Sequence, residues 1–213
     1  MKPLIAVVDY EMGNLHSVAK AIEKAGGNVK VTSSPADIRR AAGVVLPGVG
    51  AFGEASKRLA RKKLVAPLRE VLKHNKPFLG ICLGLQLLFE RSEESPSAKG
   101  LGYFKGHVIR FRISKKSRMK VPHMGWNTAE KKSAVKSPLL KGINARSYFY
   151  FVHSYYPVPK EKTIVSTVTP YGVSFCSSVS KGRLFASQFH PEKSGEEGQT
   201  ILRNFVKEVA ACS

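Results

Sequence analysis

GVVLPGVGAFG, residues 43–53, runs from an apolar, strand-like segment through closely spaced glycines into a helical pattern. The spacing Gly48-x-Gly50-x-x-Gly53 lets a backbone approach an anion closely, as in a dinucleotide cradle. Two features count against a dinucleotide. The loop follows the third strand-like segment rather than the first. Glu70, the carboxylate about twenty residues further on, falls mid-helix instead of at a strand end, where it could meet a ribose. The strand-loop-helix unit itself decides the fold class.

Working outward, LIAVVDY (4–10) reads as a buried strand, and NLHSVAKAIEKAGG (14–27) as a helix. Leu15, Val18, Ala19 and Ile22 form its apolar stripe, and Gly26-Gly27 close it. NVKVTSS (28–34) is strand-like and PADIRRAA (35–42) a short helix. A helical region follows from 54 to 75, with an interruption expected at Pro67. PFLGICLG (77–84) is a short apolar run, and LQLLFERSEE (85–94) is read as a helix. This alternation predicts an α/β fold with a doubly wound, mostly parallel sheet flanked by helices.

From about residue 101 strands dominate: GHVIRF, SYFYFVHSYY, TIVSTVT, VSFCSSV and RLFASQFH, with SKG (180–182) as a hairpin turn. A last helix is expected over about 195–211. The whole, 1–213, reads as one domain with a β-rich second half.

Composition narrows the function classes. No apolar run reaches the roughly 18 residues of a membrane span, and the N-terminus lacks the pattern of a secretory signal. Cys82, Cys176 and Cys212 are too few and too scattered for a disulfide framework or a zinc motif, which points to a reducing setting, cytoplasmic or an equivalent organelle interior. Charge is the unusual quantity: 35 Lys+Arg against 15 Asp+Glu, a formal net of +20. RFRISKKSRMK (110–120) alone carries six positive side chains. Such a face suits nucleic acid, an acidic protein or plain solvation. The run has no aromatic ladder and no helix-turn-helix accompanies it, which argues against nucleic acid.

GICLGLQ (80–86) carries the chemistry. A cysteine between strand and helix, flanked by Gly80 and Gly84, has the form of a nucleophile elbow. A buried structural thiol is the alternative. In QFHPEKS (188–194), His190 and Glu192 project to one face of an extended chain, and Pro191 stiffens the segment. Taken alone, that segment also fits a surface His-Pro-Glu turn. Together the two stretches supply a nucleophile, a base and an orienting carboxylate.

These motifs, with PGVGAFG, resemble the class I glutamine amidotransferases. DYEMGNLHSV (9–18), HMGWN (123–127) and VHSYY (152–156) narrow the resemblance to the glutaminase subunits of imidazole glycerol phosphate synthases. It implies that Cys82 attacks the carboxamide of glutamine, with His190 as base and Glu192 orienting it. It further implies an oxyanion hole from the backbone at Val49, Gly50 and Leu83, and contacts to glutamine from Gln86, Glu94, Ser154 and Tyr155. The implied partner is a (β/α)₈ cyclase subunit in a heterodimer, with no cofactor and no metal. A paralogue serving another acceptor, as in surface-sugar biosynthesis, is the near alternative, and a basic binding module on the same fold the distant one. Because glycines flank Val49, its peptide can take either of two orientations. In the isolated chain the Val49 N–H is expected to point away from Cys82.

Overall fold

The computed structural model describes residues 2–114, 119–132, 135 and 137–212, so the middle of the basic run at 110–120 lies outside the described residues. Five strands make the parallel half of a nine-stranded sheet: β1 (Leu4–Val8), β2 (Asn28–Thr32), β3 (Gly43–Leu46), β4 (Phe78–Ile81) and β13 (Leu184–Ser187), in the order β2-β1-β3-β4-β13. The sheet then continues antiparallel through β12 (Ser174–Lys181), β11 (Val165–Pro170), β8 (His123–Lys131) and β9 (Arg146–His153). The doubly wound frame is as expected, and the β-rich second half enters it antiparallel. A second, four-stranded sheet runs β10-β7-β5-β6, from β5 (Arg91–Ser92), β6 (Ser95–Lys99), β7 (Gly106–Arg110) and β10 (Tyr155–Pro159).

Strand sequences explain the layering. β3, β4 and β13 are buried along their whole length, the signature of strands covered on both faces. Alternate residues feed two cores. Ala6, Val8, Val44, Leu46 and Phe78 pack toward α2 (Pro35–Arg40), α3 (Phe52–Arg61) and α4 (Val65–Lys73). Ile5, Val7, Val45 and Leu79 pack toward α1 (Leu15–Lys24) and α6 (Gly195–Ala210), whose Ile22, Ile201 and Phe205 are fully buried. Each such Val, Leu, Ile or Phe side chain contributes about 1.5–3 kcal/mol by burial. Among the described residues no helix is long and apolar enough to cross a membrane.

The helical region expected from 54 to 75 does break, but not at Pro67. Pro67 is buried in the first turn of α4, where a missing N–H leaves no bond unmade. The break is at Lys62–Leu64. Lys63 takes a left-handed φ of 58°, the Leu64 N–H returns to the Leu59 carbonyl (2.9 Å) and the Lys63 N–H to that of Ala60 (3.0 Å). That is the closing pattern of a Schellman cap.

LQLLFERSEE is not a helix either. Only one turn forms, α5 (Leu83–Gln86), and Arg91–Ser92 already belong to β5. The competitor is the segment at 100–104. Leu101 and Phe104 donate to the carbonyls of Leu87 and Leu88, and Gly100 to that of Glu90, so these acceptors are taken from outside the helix. SYFYFVHSYY is two strands, β9 and β10, parted at Ser154 and belonging to different sheets. HMGWN opens β8, a strand that its sequence did not announce.

Candidate active site

Cys82 stands between β4 and α5 with φ 54° and ψ −104°, a positive-φ conformation costly for any residue with a Cβ. The chain is held there from both sides. The Cys82 N–H donates to the Ser187 carbonyl on β13 at 2.7 Å. Gly84 gives the turn room, since a Cβ on it would overlap the Leu46 carbonyl. Gly80 lies against Ala186, where an added Cβ would come within 2.9 Å. The two glycines thus bracket the elbow for steric reasons.

His190 follows β13 and is buried. Its N–H donates to the Tyr150 carbonyl (3.0 Å); Ser194 Oγ accepts the Tyr150 N–H (3.0 Å) and donates to the His190 carbonyl (2.6 Å). This clasp fixes the histidine backbone against β9. On the ring, Nδ1 meets Glu192 Oε1 at 2.8 Å, and Nε2 has no hydrogen-bond partner among the described residues. Burial works against a charged imidazole, but the neighbouring Cys82 sulfur and then the Glu192 carboxylate outweigh it, holding the His190 pKa above its ordinary value. An unpaired, buried Nε2 beside a thiol is suited to exchanging its proton.

A cavity of about 410 Å³ opens over Cys82, lined by Val49, Gly50, Ala51, Leu83, Gln86, Glu94, Val152, His153, Ser154 and Tyr155. Every residue expected at the site therefore lines it, apart from His190 and Glu192. Glu94 has a second occupation: its Oε2 accepts the Phe52 N–H at 2.7 Å and caps the start of α3. The Ser154 carbonyl accepts from Phe111 N–H (3.0 Å), and that of Tyr155 from Gln86 Nε2 (3.1 Å). A cleft of about 480 Å³ beside β10 and β12, lined by Val158, Val165 and Cys176, contains none of these groups.

The glycine loop lies beside the elbow. The Gly48 carbonyl accepts the Leu83 N–H at 3.3 Å. Since the peptide is trans, the Val49 N–H points the opposite way. In this orientation the Leu83 N–H is taken by the Gly48 carbonyl and the Val49 N–H is directed away from Leu83. Gly50, at φ 94°, occupies a conformation closed to most residues. Tyr10, fully buried, donates to the Pro47 carbonyl at 2.8 Å, and its hydroxyl fills the space where a Gly48 Cβ would stand.

Tyr10, Gln188 and Ser194 escaped the sequence reading. Gln188 had a usable signal, because it stands only two residues before His190. His123 is buried, Nδ1 meeting His153 Nε2 at 3.0 Å, whereas Trp126 is exposed. Among the described residues no group of three His, Cys, Asp or Glu could hold a metal ion.

A strained cysteine elbow on a doubly wound sheet, facing a carboxylate-bound histidine, defines a class. Residues 6–209 match the family described as "Glutamine amidotransferase class-I", and the chain belongs to that family. More narrowly, the chain is 50% identical over 210 residues to "Imidazole glycerol phosphate synthase subunit HisH" of Synechococcus elongatus, covering 98% of this chain and 95% of the relative. The HisH subunit of Moorella thermoacetica is 49% identical over 205 residues (96% and 94% covered), and HisH 1 of Methanococcus maripaludis 47% over 207 (96% and 99%). Among solved structures, PurLQS from Thermotoga maritima aligns with a TM-score of 0.75 at 19% identity, over 97% of this chain and 99% of that one. At that identity it supports the fold alone.

Proposed function

We propose that this chain, acting as one domain, is the glutaminase subunit of an imidazole glycerol phosphate synthase. It hydrolyses glutamine to glutamate and ammonia and passes the ammonia to a (β/α)₈ cyclase subunit in histidine biosynthesis, in a reducing, cytoplasmic setting. The observation that carries the chemistry is the line from Glu192 through His190 to the strained Cys82 at the floor of the cavity. The identity of about half to HisH subunits over nearly the whole chain favours this acceptor over a paralogue's.

In this reading His190 Nε2 takes the Cys82 thiol proton, and Sγ attacks the carboxamide carbon of glutamine. The carbonyl electron pair moves onto oxygen, and the tetrahedral adduct collapses as His190 returns its proton to the departing ammonia. Water, deprotonated by the same Nε2, then attacks the thioester. The C–S bond breaks, releasing glutamate and the regenerated thiol. Glu192 holds the imidazole with Nε2 toward the sulfur.

The test is reconstitution with the cyclase subunit of such a synthase and the phosphorylated ribonucleotide acceptor. Glutamine should support synthesis with one glutamate released per turnover. Glutamate release uncoupled from that acceptor, but coupled to another, would favour the paralogue.

A further inference from the structure

We propose that Gln188 is a further catalytic residue, whose side-chain amide donates to the Cys82 sulfur and stabilises the attacking thiolate. The proposal rests on the reading of Cys82 as the nucleophile. Gln188 is fully buried, its N–H tied to the Ser177 carbonyl at 2.8 Å. Its Nε2 stands 3.5 Å from Cys82 Sγ, and its Oε1 accepts from Gln86 Nε2 at 3.1 Å. Gln86 Nε2 also donates to the Tyr155 carbonyl at 3.1 Å.

One atom sets the direction of this whole chain. A backbone carbonyl can only accept, so Tyr155 requires Gln86 to present its NH₂ group. The second hydrogen of that group then requires Gln188 to present its oxygen. What remains for the sulfur is the Gln188 NH₂. Turning Gln188 over would set two NH₂ groups against each other, and turning Gln86 as well would set its oxygen against the Tyr155 carbonyl. The same carbonyl takes a second donor, His153 Nδ1 at 2.8 Å, which adds to its hold. The sulfur therefore faces a fixed donor rather than an amide free to rotate.

A donor aimed at sulfur favours the thiolate over the thiol. When Cys82 gives its proton to His190, the electron pair left on Sγ accepts the Gln188 N–H. Base and donor arrive together because Gln188 and His190 both lie in the short segment that follows the end of β13 at Ser187. QFHPE thus delivers donor, base and orienting carboxylate within five residues.

The test follows the thiol directly. The full chain is alkylated with iodoacetamide across a pH series, and Cys82 labelling is read by peptide mass spectrometry with Cys212 as internal reference. In Gln188→Leu the Cys82 midpoint should rise by about one pH unit, and kcat for glutamine should fall about tenfold, the effect of losing a hydrogen bond to a charged group. Gln188→Glu, of the same size, sets a carboxylate against the sulfur and should raise the midpoint further; thermal unfolding reports whether each variant folds, and the Glu variant decides if the Leu variant does not. An unchanged midpoint in a folded variant overturns the proposal, even where activity falls. If Cys82→Ala still hydrolyses glutamine, the underlying reading fails instead. A dead Cys82→Ala beside an unshifted Gln188 variant removes only the donor role.

Discussion

The Gly48 carbonyl oxygen accepts the Leu83 N–H at 3.3 Å, occupying the backbone donor that follows the proposed nucleophile. Rotating the Gly48–Val49 peptide would withdraw that oxygen, free Leu83 and bring the Val49 N–H over Cys82. Both donors therefore depend on one peptide. Gly50, at φ 94°, supplies the conformational freedom at one end of the turn, while Tyr10 holds Pro47 in place as the fixed end.

The first expectation is a latent glutaminase. Each missing oxyanion donor typically lowers the rate by about 100- to 1000-fold. Glutamate release by the chain alone should lie at least about 100-fold below that of the chain with its cyclase partner and an acceptor analogue. Equal rates in both states would leave the Gly48–Leu83 contact a purely steric role.

A second expectation separates ammonia release from ammonia use. Cys82→Ala should abolish glutamine hydrolysis while the complex still turns over on added ammonium salt at high pH, within a few-fold of the unsubstituted complex. His190→Ala should be nearly as severe, because nucleophile and base act as a unit. Glu192→Ala should be milder, since it loses orientation and not the proton carrier. Residual hydrolysis by Cys82→Ala above the solvent rate would refute the assignment of the nucleophile.

How far the sequence could be read depends on which signals were local. The elbow was legible because a strained turn needs its glycines beside the cysteine. The end of α1 was legible too: Gly26 sits at the left-handed cap position, and Gly27 and Gly26 donate back to Ile22 and Glu23 at 2.9 Å. α4 closes in the same way with Asn75 at φ 51°, and α3 with Lys63 at φ 58°. Lysine does not advertise that conformation, so the break was sought at Pro67 instead. The carbonyls of Leu87 and Leu88 meet partners from beyond residue 100, a pairing invisible to periodicity. Gln188 has a local marker in its spacing from His190, but its partners, Gln86 and Cys82, lie about a hundred residues away in sequence.

Lys63 supplies the third expectation. A side chain in the left-handed region costs about 1–2 kcal/mol that glycine avoids, offset in part by glycine's greater freedom in the unfolded chain. Lys63→Gly should therefore stabilise the protein by about 0.5–1 kcal/mol, raising Tm by about 1–4 °C for a chain of this size. Calorimetry of the pair at one pH and salt concentration measures it. A lower Tm for Lys63→Gly would show that the lysine side chain contributes more than its backbone strain.

The fourth expectation concerns the buried pair His123 and His153, which face each other where β8 begins and β9 ends, His153 lining the cavity. The Tyr155 carbonyl accepts the His153 Nδ1 proton, which leaves His153 Nε2 as an acceptor for His123 Nδ1 at 3.0 Å. His123 Nε2 then accepts from Asn127 Nδ2 at 3.2 Å. Each ring carries one proton in this arrangement, and a second on His153 would set N–H against N–H. Burial holds His123 down to about 4. It also holds His153 down to about 3; the Tyr155 hydrogen bond opposes this, and the charges of His123 and His190 add to it. Both folded values lie below the unfolded value of about 6.5. The unfolded chain therefore binds more protons between these limits, so the stability contributed by the pair is complete above about pH 6.5 and is lost as pH falls through 4 and then 3. Tm should decline on acidification from pH 6.5 to 4.5. In His123→Phe, which keeps the ring packing with Phe151 and Tyr171 but removes one titrating group, the decline should be shallower. Imidazole NMR gives the direct reading: neither ring should titrate between pH 8 and 5. A His153 resonance moving with a midpoint near 6.5 would show that the pair accepts protons freely and that its neutral chain does not hold.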